Sequence, residues 1–214
     1  MQENKVFYTA KNDNVFKKIM ADEDNKEMLI KFLERILNKK IEELTYLKNE
    51  LTINYPLERR KTVDVLVRTK DEFIHIELNN GYSDYLHIRN FCYFTNIYSK
   101  KTKAGEKYNL KEKFIHIDFT YHQIINSKLD TYKTLKDKEY LRIYKVMDKD
   151  LKTYIENLEI WEFNMDRITQ IWYDKKEERK KFNHLIMLDS NLEELEKISK
   201  GDDLVEEFKK EIEN

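Results

Sequence analysis

Apolar residues along this chain change their spacing several times, and each change marks a new element. Between residues 13 and 38 they recur every three or four positions, the period of a helix with one buried side. Asp13 stands as the N-cap of a helix predicted over Asn14–Met20, with Val15, Phe16 and Ile19 on its inner side. A second helix is predicted over Asn25–Asn38, where Met28, Leu29, Phe32, Leu33, Ile36 and Leu37 form an amphipathic stripe. The period then falls to two, and strands are predicted over Leu44–Asn54, Thr62–Thr69 and Glu72–Asn79. In the second strand Val63, Val65 and Val67 share one face, leaving Asp64, Leu66 and Arg68 on the other. In the third, Ile74, Ile76 and Leu78 oppose His75, Glu77 and Asn79. A helix follows over Asp84–Ser99, with Ile88, Phe91, Thr95 and Tyr98 as its core stripe, and then a strand over Phe114–Tyr121. Further strands are expected over Leu141–Met147 and Leu158–Phe163, and helices over Glu177–Leu188, Asn191–Ser199 and Asp202–Glu213, broken at Gly201. This order describes an α/β protein, a mixed sheet with helices packed against it and an α-rich C-terminal extension. The domain expectation is a core over 1–125 and a strand and helix extension over 126–214. No internal repeat or low-complexity linker is read.

Composition narrows the picture. With 40 basic and 41 acidic side chains among 214 residues the net charge is −1, so any nucleic-acid contact has to be local or assisted by a metal ion. From Asp189 to the end ten acidic residues face four lysines, a net of −6, which directs the search for a phosphate-facing site to the first 125 residues. Between Ser99 and Lys113 six lysines face two glutamates, a net of +4; this is either a track for a nucleic-acid backbone or an ordinary solvated loop. The single Cys92 precludes an internal disulfide and fits a reducing compartment. No apolar run is long enough to span a membrane or serve as a signal core, so a cytoplasmic location is expected. Zinc-ligand spacings, P-loops and serine-hydrolase elbows do not occur. The aromatic group Trp161, Phe163, Trp172 and Tyr173 reads as core or interface.

The sharpest chemical feature is Thr62-Val-Asp64-Val-Leu-Val67, a short charged turn, and Ile74-His-Ile-Glu77-Leu-Asn79. Two strands joined by a tight turn each carry one carboxylate, and Glu77 and Asn79 project from the same face. Carboxylates on adjacent strands suit Mg²⁺, which takes hard oxygen ligands and keeps several waters. Such an ion activates water and neutralises charge on a phosphodiester. The plainer reading is a hairpin with solvated edge carboxylates. His75 shares the Glu77 face and is read as a supporting or surface histidine.

The chain also resembles a known family. Asp13-Asn-Val-Phe16-Lys17 is similar to the opening D-x-x-F-K block of the PD-(D/E)XK nuclease family transposases, the recombination-promoting nucleases. The resemblance continues through the Lys26–Asn38 helix, the Asp64 and Glu77-Leu-Asn79 strands, Arg89-Asn-Phe-Cys-Tyr93, Gly105-Glu-Lys-Tyr108, the strand opening at Phe114, Leu158 to Phe163 and the helices from Leu192 to Phe208. It implies a restriction-endonuclease-like fold and a metal-dependent nuclease acting on DNA in a mobile-element or recombination setting. It further implies Mg²⁺ or Mn²⁺ as cofactor, Asp64 and Glu77 as metal ligands with Asp13 as a third, and Asn79 as the remaining catalytic group. Asn79 departs from the Gln of many relatives and the Lys of the wider superfamily, so no positive charge stands there. Arg89 and Tyr93, one helical turn apart and in line with Tyr85, are expected to grip a phosphate, or else to form a surface cation–π pair. Lys17 is a further candidate for nucleic-acid contact, against an ordinary exposed helix lysine. Expected partners are DNA, with RNA left open, no membrane, and a second copy of the chain as a homodimer. The alternative is a nuclease-fold protein that no longer cuts and acts as a nucleic-acid- or protein-binding module.

Overall fold

The computed structural model describes residues 8–48, 50–51, 61–81, 85–99, 112–121 and 139–213. In its first part the chain forms α1 (Asp13–Met20), α2 (Lys26–Leu37), β1 (Leu44–Tyr46), β2 (Glu50–Leu51), β3 (Lys61–Thr62), β4 (Val65–Thr69) and β5 (Glu72–Asn79). There follow α3 (Leu86–Ser99), β6 (Lys113–Thr120), β7 (Leu141–Met147) and β8 (Thr153–Asn164). The C-terminal helices are α4 (Met165–Asp174), α5 (Arg179–Ile186), α6 (Leu192–Ile198) and α7 (Asp203–Glu213). Two compact units result, one of residues 1–41 with 168–214 and the other of residues 42–167.

The first unit is helical. Its opening helix is capped by Asn12, whose side chain accepts from the backbone N–H groups of Asn14 at 3.0 Å and Val15 at 3.4 Å. Asp13 is therefore not the cap that its sequence position predicts. It is the first helical residue, exposed, where a carboxylate favours the positive end of the helix. Phe16, Ile19 and Met20 on α1 and Met28, Leu29, Phe32, Leu33 and Ile36 on α2 supply its core. Asn38, in the left-handed region at φ 50° and ψ 45°, ends α2. The acid-rich C-terminal segment meets basic groups of α2: Lys31 pairs with Glu207 at 2.5 Å, and Arg35 with Asp202 at 2.8 Å. Asn191 and Glu194 close a reciprocal capping box at the start of α6, and Gly201, at φ +76°, separates α6 from α7. Helix α4 goes unread in the sequence because its apolar positions follow β8 directly, with no Gly or Pro between them.

The second unit is built on a six-stranded mixed sheet in the order β1-β4-β5-β6-β8-β7, with β2 and β3 paired separately. Strand β5 runs antiparallel to β4 and parallel to β6, β6 is parallel to β8, and β7 returns antiparallel to β8. The expected mixed sheet with helices and an α-rich C-terminus is thus observed, and β7 and β8 complete the same sheet as β4 to β6. Two predicted strands are interrupted. The Leu44–Asn54 prediction becomes β1 and β2 in different sheets, its last three residues lying outside the described residues. The Thr62–Thr69 prediction breaks at Val63 and Asp64.

Helix α3 lies on one face of this sheet, rotated from its expected setting. Leu86, Asn90, Phe94 and Ile97 are buried, whereas Ile88 and Phe91 of the predicted stripe are 63% and 50% exposed. Phe94 decides the rotation. Its ring meets Phe114 edge-on at 4.7 Å and packs with Val63, Leu66, Ile97 and Leu158. Of the aromatic group near the C-terminal half, Phe163 is core, Trp161 and Trp172 are half-buried and Tyr173 is exposed. Truncating Phe94 to Ala removes a fully buried ring, so thermal or urea unfolding should show a loss of about 3–5 kcal/mol. Ile88→Ala should change stability by no more than about 0.5 kcal/mol in the same measurement.

Candidate functional site

The site begins where a strand fails to continue. The ladder between β4 and β5 starts at Val65 opposite Ile76, and the chain bends at Asp64. Side chains take over the hydrogen bonds that the backbone no longer makes there. The Asp64 N–H donates to Oε1 of Glu77 at 3.2 Å, and Oδ2 of Asp64 accepts from the Leu78 N–H at 2.9 Å. Glu77 thus caps the bend before β4, and Asp64 caps the backbone of β5. Both are buried, at 4% and 5% exposure, which removes the reading of solvated edge carboxylates.

Glu77 has a second partner. His75, fully buried two residues earlier on the same face, places Nε2 2.9 Å from Glu77 Oε1, while its Nδ1 lies 2.8 Å from Nδ1 of His116. The carboxylate calls for a proton on Nε2 of His75. Nε2 of His75 donates to Glu77, the two Nδ1 atoms share one proton between them, and Nε2 of His116 is buried with no partner among the described residues. Burial, then the charges of His75 and Arg89, hold the His116 imidazole well below its ordinary pKa, so it stays neutral.

The parallel register extends this arrangement across the sheet. His75 lies beside His116, Glu77 beside Asp118 and Asn79 beside Thr120, and Asp118 in turn lies beside Glu162 on β8. Glu77, Asp118 and Glu162 therefore form a row of buried carboxylates on one face, one per strand, about 4.8 Å apart from strand to strand. Asp118 is held by amides and a hydroxyl. Oδ1 accepts from Asn79 Nδ2 and from Thr120 Oγ1, the latter at 3.0 Å, and Oδ2 accepts from Asn90 Nδ2 on α3. Burial raises its pKa to about 7. The Asn79 and Thr120 bonds oppose that rise, and the charges of Glu162 and Glu77 add to it. Glu162 accepts from the Tyr144 hydroxyl at 2.7 Å. Burial and then Glu162 push the phenol up to about 12, so it remains a donor.

Asn79 is only 4% exposed and sits between two groups: its Nδ2 serves Asp118, and its Oδ1 accepts from the Arg89 guanidinium. The guanidinium carbon of Arg89 lies 6.0 Å from the centre of the Tyr93 ring. The structure thus brings together Asp64, Glu77, Asn79, Arg89 and Tyr93, and both the cation–π contact and a direct link into the site are present. Tyr85, in line with them along the helix, is exposed. Lys17 and Asp13 lie on α1 in the other unit, while the geometry above belongs to residues 42–167. The Ser99–Lys113 basic run lies, for residues 100–111, outside the described residues.

The chain matches a family model described as PD-(D/E)XK nuclease family transposase over residues 10–213. It belongs to that family. A comparison with curated proteins returns no match. Two adjacent buried carboxylates, one of them oriented by an imidazole, present the oxygen donors that hard divalent cations take. Among the described residues no group of three or more His, Cys, Asp and Glu side chains is arranged to hold an ion, so a metal there would complete its shell with water, backbone or phosphate oxygen.

Sequence reading missed His116, Asp118, Thr120, Asn90 and Glu162. One signal was available, because Phe114-Ile-His-Ile-Asp118 echoes Phe73-Ile-His-Ile-Glu77, and the two strings pair residue for residue. Asn90 and Glu162 carry no comparable mark.

Because folding raises the Asp118 pKa from 3.8 to about 7, the native state binds a proton more tightly than the unfolded chain. Stability in a metal chelator should therefore fall as pH rises from about 4 to about 7 and level off above. The whole change amounts to about 4 kcal/mol at most. Urea unfolding across that range measures it, and Asp118→Asn should flatten the slope.

Proposed function

We propose that this protein is a divalent-metal-dependent nuclease that hydrolyses DNA phosphodiester bonds in a mobile-element or recombination setting, with Asp64 and Glu77 holding Mg²⁺ or Mn²⁺. The observation that carries the reading is the pair of bonds from the Asp64 N–H to Glu77 and from the Leu78 N–H to Asp64, which hold two buried carboxylates near each other at the end of a ladder. When bound, the ion supplies an activated water and a counter-charge for the phosphate. Around it, His75 orients Glu77 through Nε2 and leaves its other oxygen directed elsewhere. Asn79, fixed by Asp118, offers a hydrogen-bonding amide where relatives place Gln or Lys. Arg89 brings to Asn79 the positive charge that the amide lacks. As the phosphate gains charge, the guanidinium is a ready bidentate partner, with Tyr93 supporting its face. Asp13 as a third metal residue and Lys17 as a nucleic-acid contact enter the proposal on the family motif alone. The absence of a side-chain charge at Asn79 favours the second reading, a binding module that no longer cuts.

Calorimetry with Mn²⁺ should detect a site that Asp64→Ala and Glu77→Ala each abolish. If both variants bind like wild type, the metal assignment is wrong. Plasmid nicking in Mn²⁺ should be weak, absent in Glu77→Ala, and lowered roughly 10²–10³-fold in Arg89→Ala, the usual effect of deleting one electrostatic stabiliser of a transition state. Nicking that survives in Glu77→Ala, or no nicking by wild type or Asn79→Lys with either metal, assigns the protein to the binding class.

A further inference from the structure

A pocket of about 530 Å³ opens on the α3 side of the sheet, next to the residues described above. Ile88 and Phe91 of α3, with Val146, Leu158 and Ile160 of the strands, make apolar walls. Its polar floor consists of Asp118, Glu162 and Asn90, each no more than 5% exposed. The floor is one-sided in its chemistry. Asn90 spends its amide donor on Asp118, so its Oδ1 is a buried acceptor with no partner. Tyr144 spends its hydroxyl on Oε2 of Glu162, and Oε1 is the other acceptor of that carboxylate. Lys145 also lines the pocket, but its ammonium pairs at 3.3 Å with Glu159, which alternates to the face of β8 opposite Glu162. A ligand entering this pocket meets buried acceptors first and has to bring donors, because acceptor against acceptor in a dry site is strongly unfavourable.

We infer that the pocket receives a guanine base, unstacked from the nucleic-acid substrate, whose neighbouring N1–H and N2–H₂ donors meet Glu162 and Asn90. The inference rests on the nuclease reading for its class of ligand. Guanine is the base with two adjacent donor groups on its pairing edge, the arrangement a carboxylate accepts bidentately. Adenine and cytosine each present one amino group flanked by a ring acceptor, and thymine presents one N–H flanked by two carbonyls. Each of these would place an acceptor against the floor. The remaining guanine acceptor, O6, is on the side of the base away from N2, where it would face the open mouth of the pocket and water. Ile88 and Phe91, exposed on a helix whose other face is core, gain a reason to be apolar: they cover the faces of a planar ring. Asp118 links this pocket to the metal pair, since it is bonded to Asn90 on one side and to Asn79 on the other. A base held there would fix which phosphate reaches Asp64 and Glu77.

Binding of the four deoxynucleoside monophosphates to the full chain, measured by calorimetry in chelator, tests the pocket without the metal. The common phosphate cancels in the comparison. The deoxyguanosine nucleotide should bind at least tenfold more tightly than the other three. Glu162→Gln, which replaces one acceptor oxygen by a donor amide, should reduce that preference to about threefold or less. Ile88→Trp, at a 63% exposed position on the rim, should block the nucleotide while its melting temperature stays with wild type. Equal affinity for all four bases, or a guanine preference unchanged in both variants, overturns the pocket. Mn²⁺ titration and plasmid nicking are read separately on the same preparations. A protein that binds Mn²⁺ and nicks but shows no base preference keeps the nuclease reading and loses this one. A guanine preference in a protein that neither binds Mn²⁺ nor nicks does the reverse.

Discussion

Three carboxylates buried in register on one sheet face are the constraint around which the second unit is arranged. Glu77, Asp118 and Glu162 occupy neighbouring strands at ladder spacing, where like charges repel and burial penalises each. The fold answers each of the three differently. Glu77 is met by the Asp64 N–H and an imidazole, Asp118 by three neutral donors and a proton affinity shifted toward neutrality, and Glu162 by a phenol. These partners come from the bend before β4, from α3, β6 and β7 as well as β5, so satisfying the row fixes where those segments sit.

That arrangement explains features that packing alone leaves unaccounted for. Helix α3 turns a buried asparagine toward the sheet and leaves two large apolar residues outside, an unfavourable exchange if burial of apolar surface were the only consideration. Phe94 anchors the helix, and with that anchor in place Asn90 falls over Asp118 and Arg89 over Asn79. Apolar burial is given up at this face for a polar network, a pattern that binding and catalytic sites share.

The position of the positive charge follows the same logic. An uncharged amide at Asn79 can be held by Asp118 without forming an ion pair in a dry interior, and the cation arrives from the exposed side on a different element. A guanidinium at the surface keeps most of its hydration while it waits, at far lower desolvation cost than a lysine buried at position 79 would incur.

Element types and the two metal-pair candidates were legible in the sequence because both depend on local periodicity. Alternation through Glu72–Asn79 sets Glu77 and Asn79 on one face whatever the surroundings, and the helical stripe of α2 follows from its spacing alone. Asp64, Arg89 and Tyr93 came into view through the resemblance to the family's motifs, which periodicity alone does not supply. Sequence could not fix the rotation of α3, since two stripes on that helix are apolar and only contact with Phe114 selects between them. Nor could it show the break at Asp64, which exists because side chains replace ladder bonds across 13 or 14 residues of chain. Asp118 and Glu162 read as ordinary strand carboxylates until pairing sets them beside Glu77. Local rules decide which way a side chain points along its own strand, but only the register between strands decides which charges become neighbours.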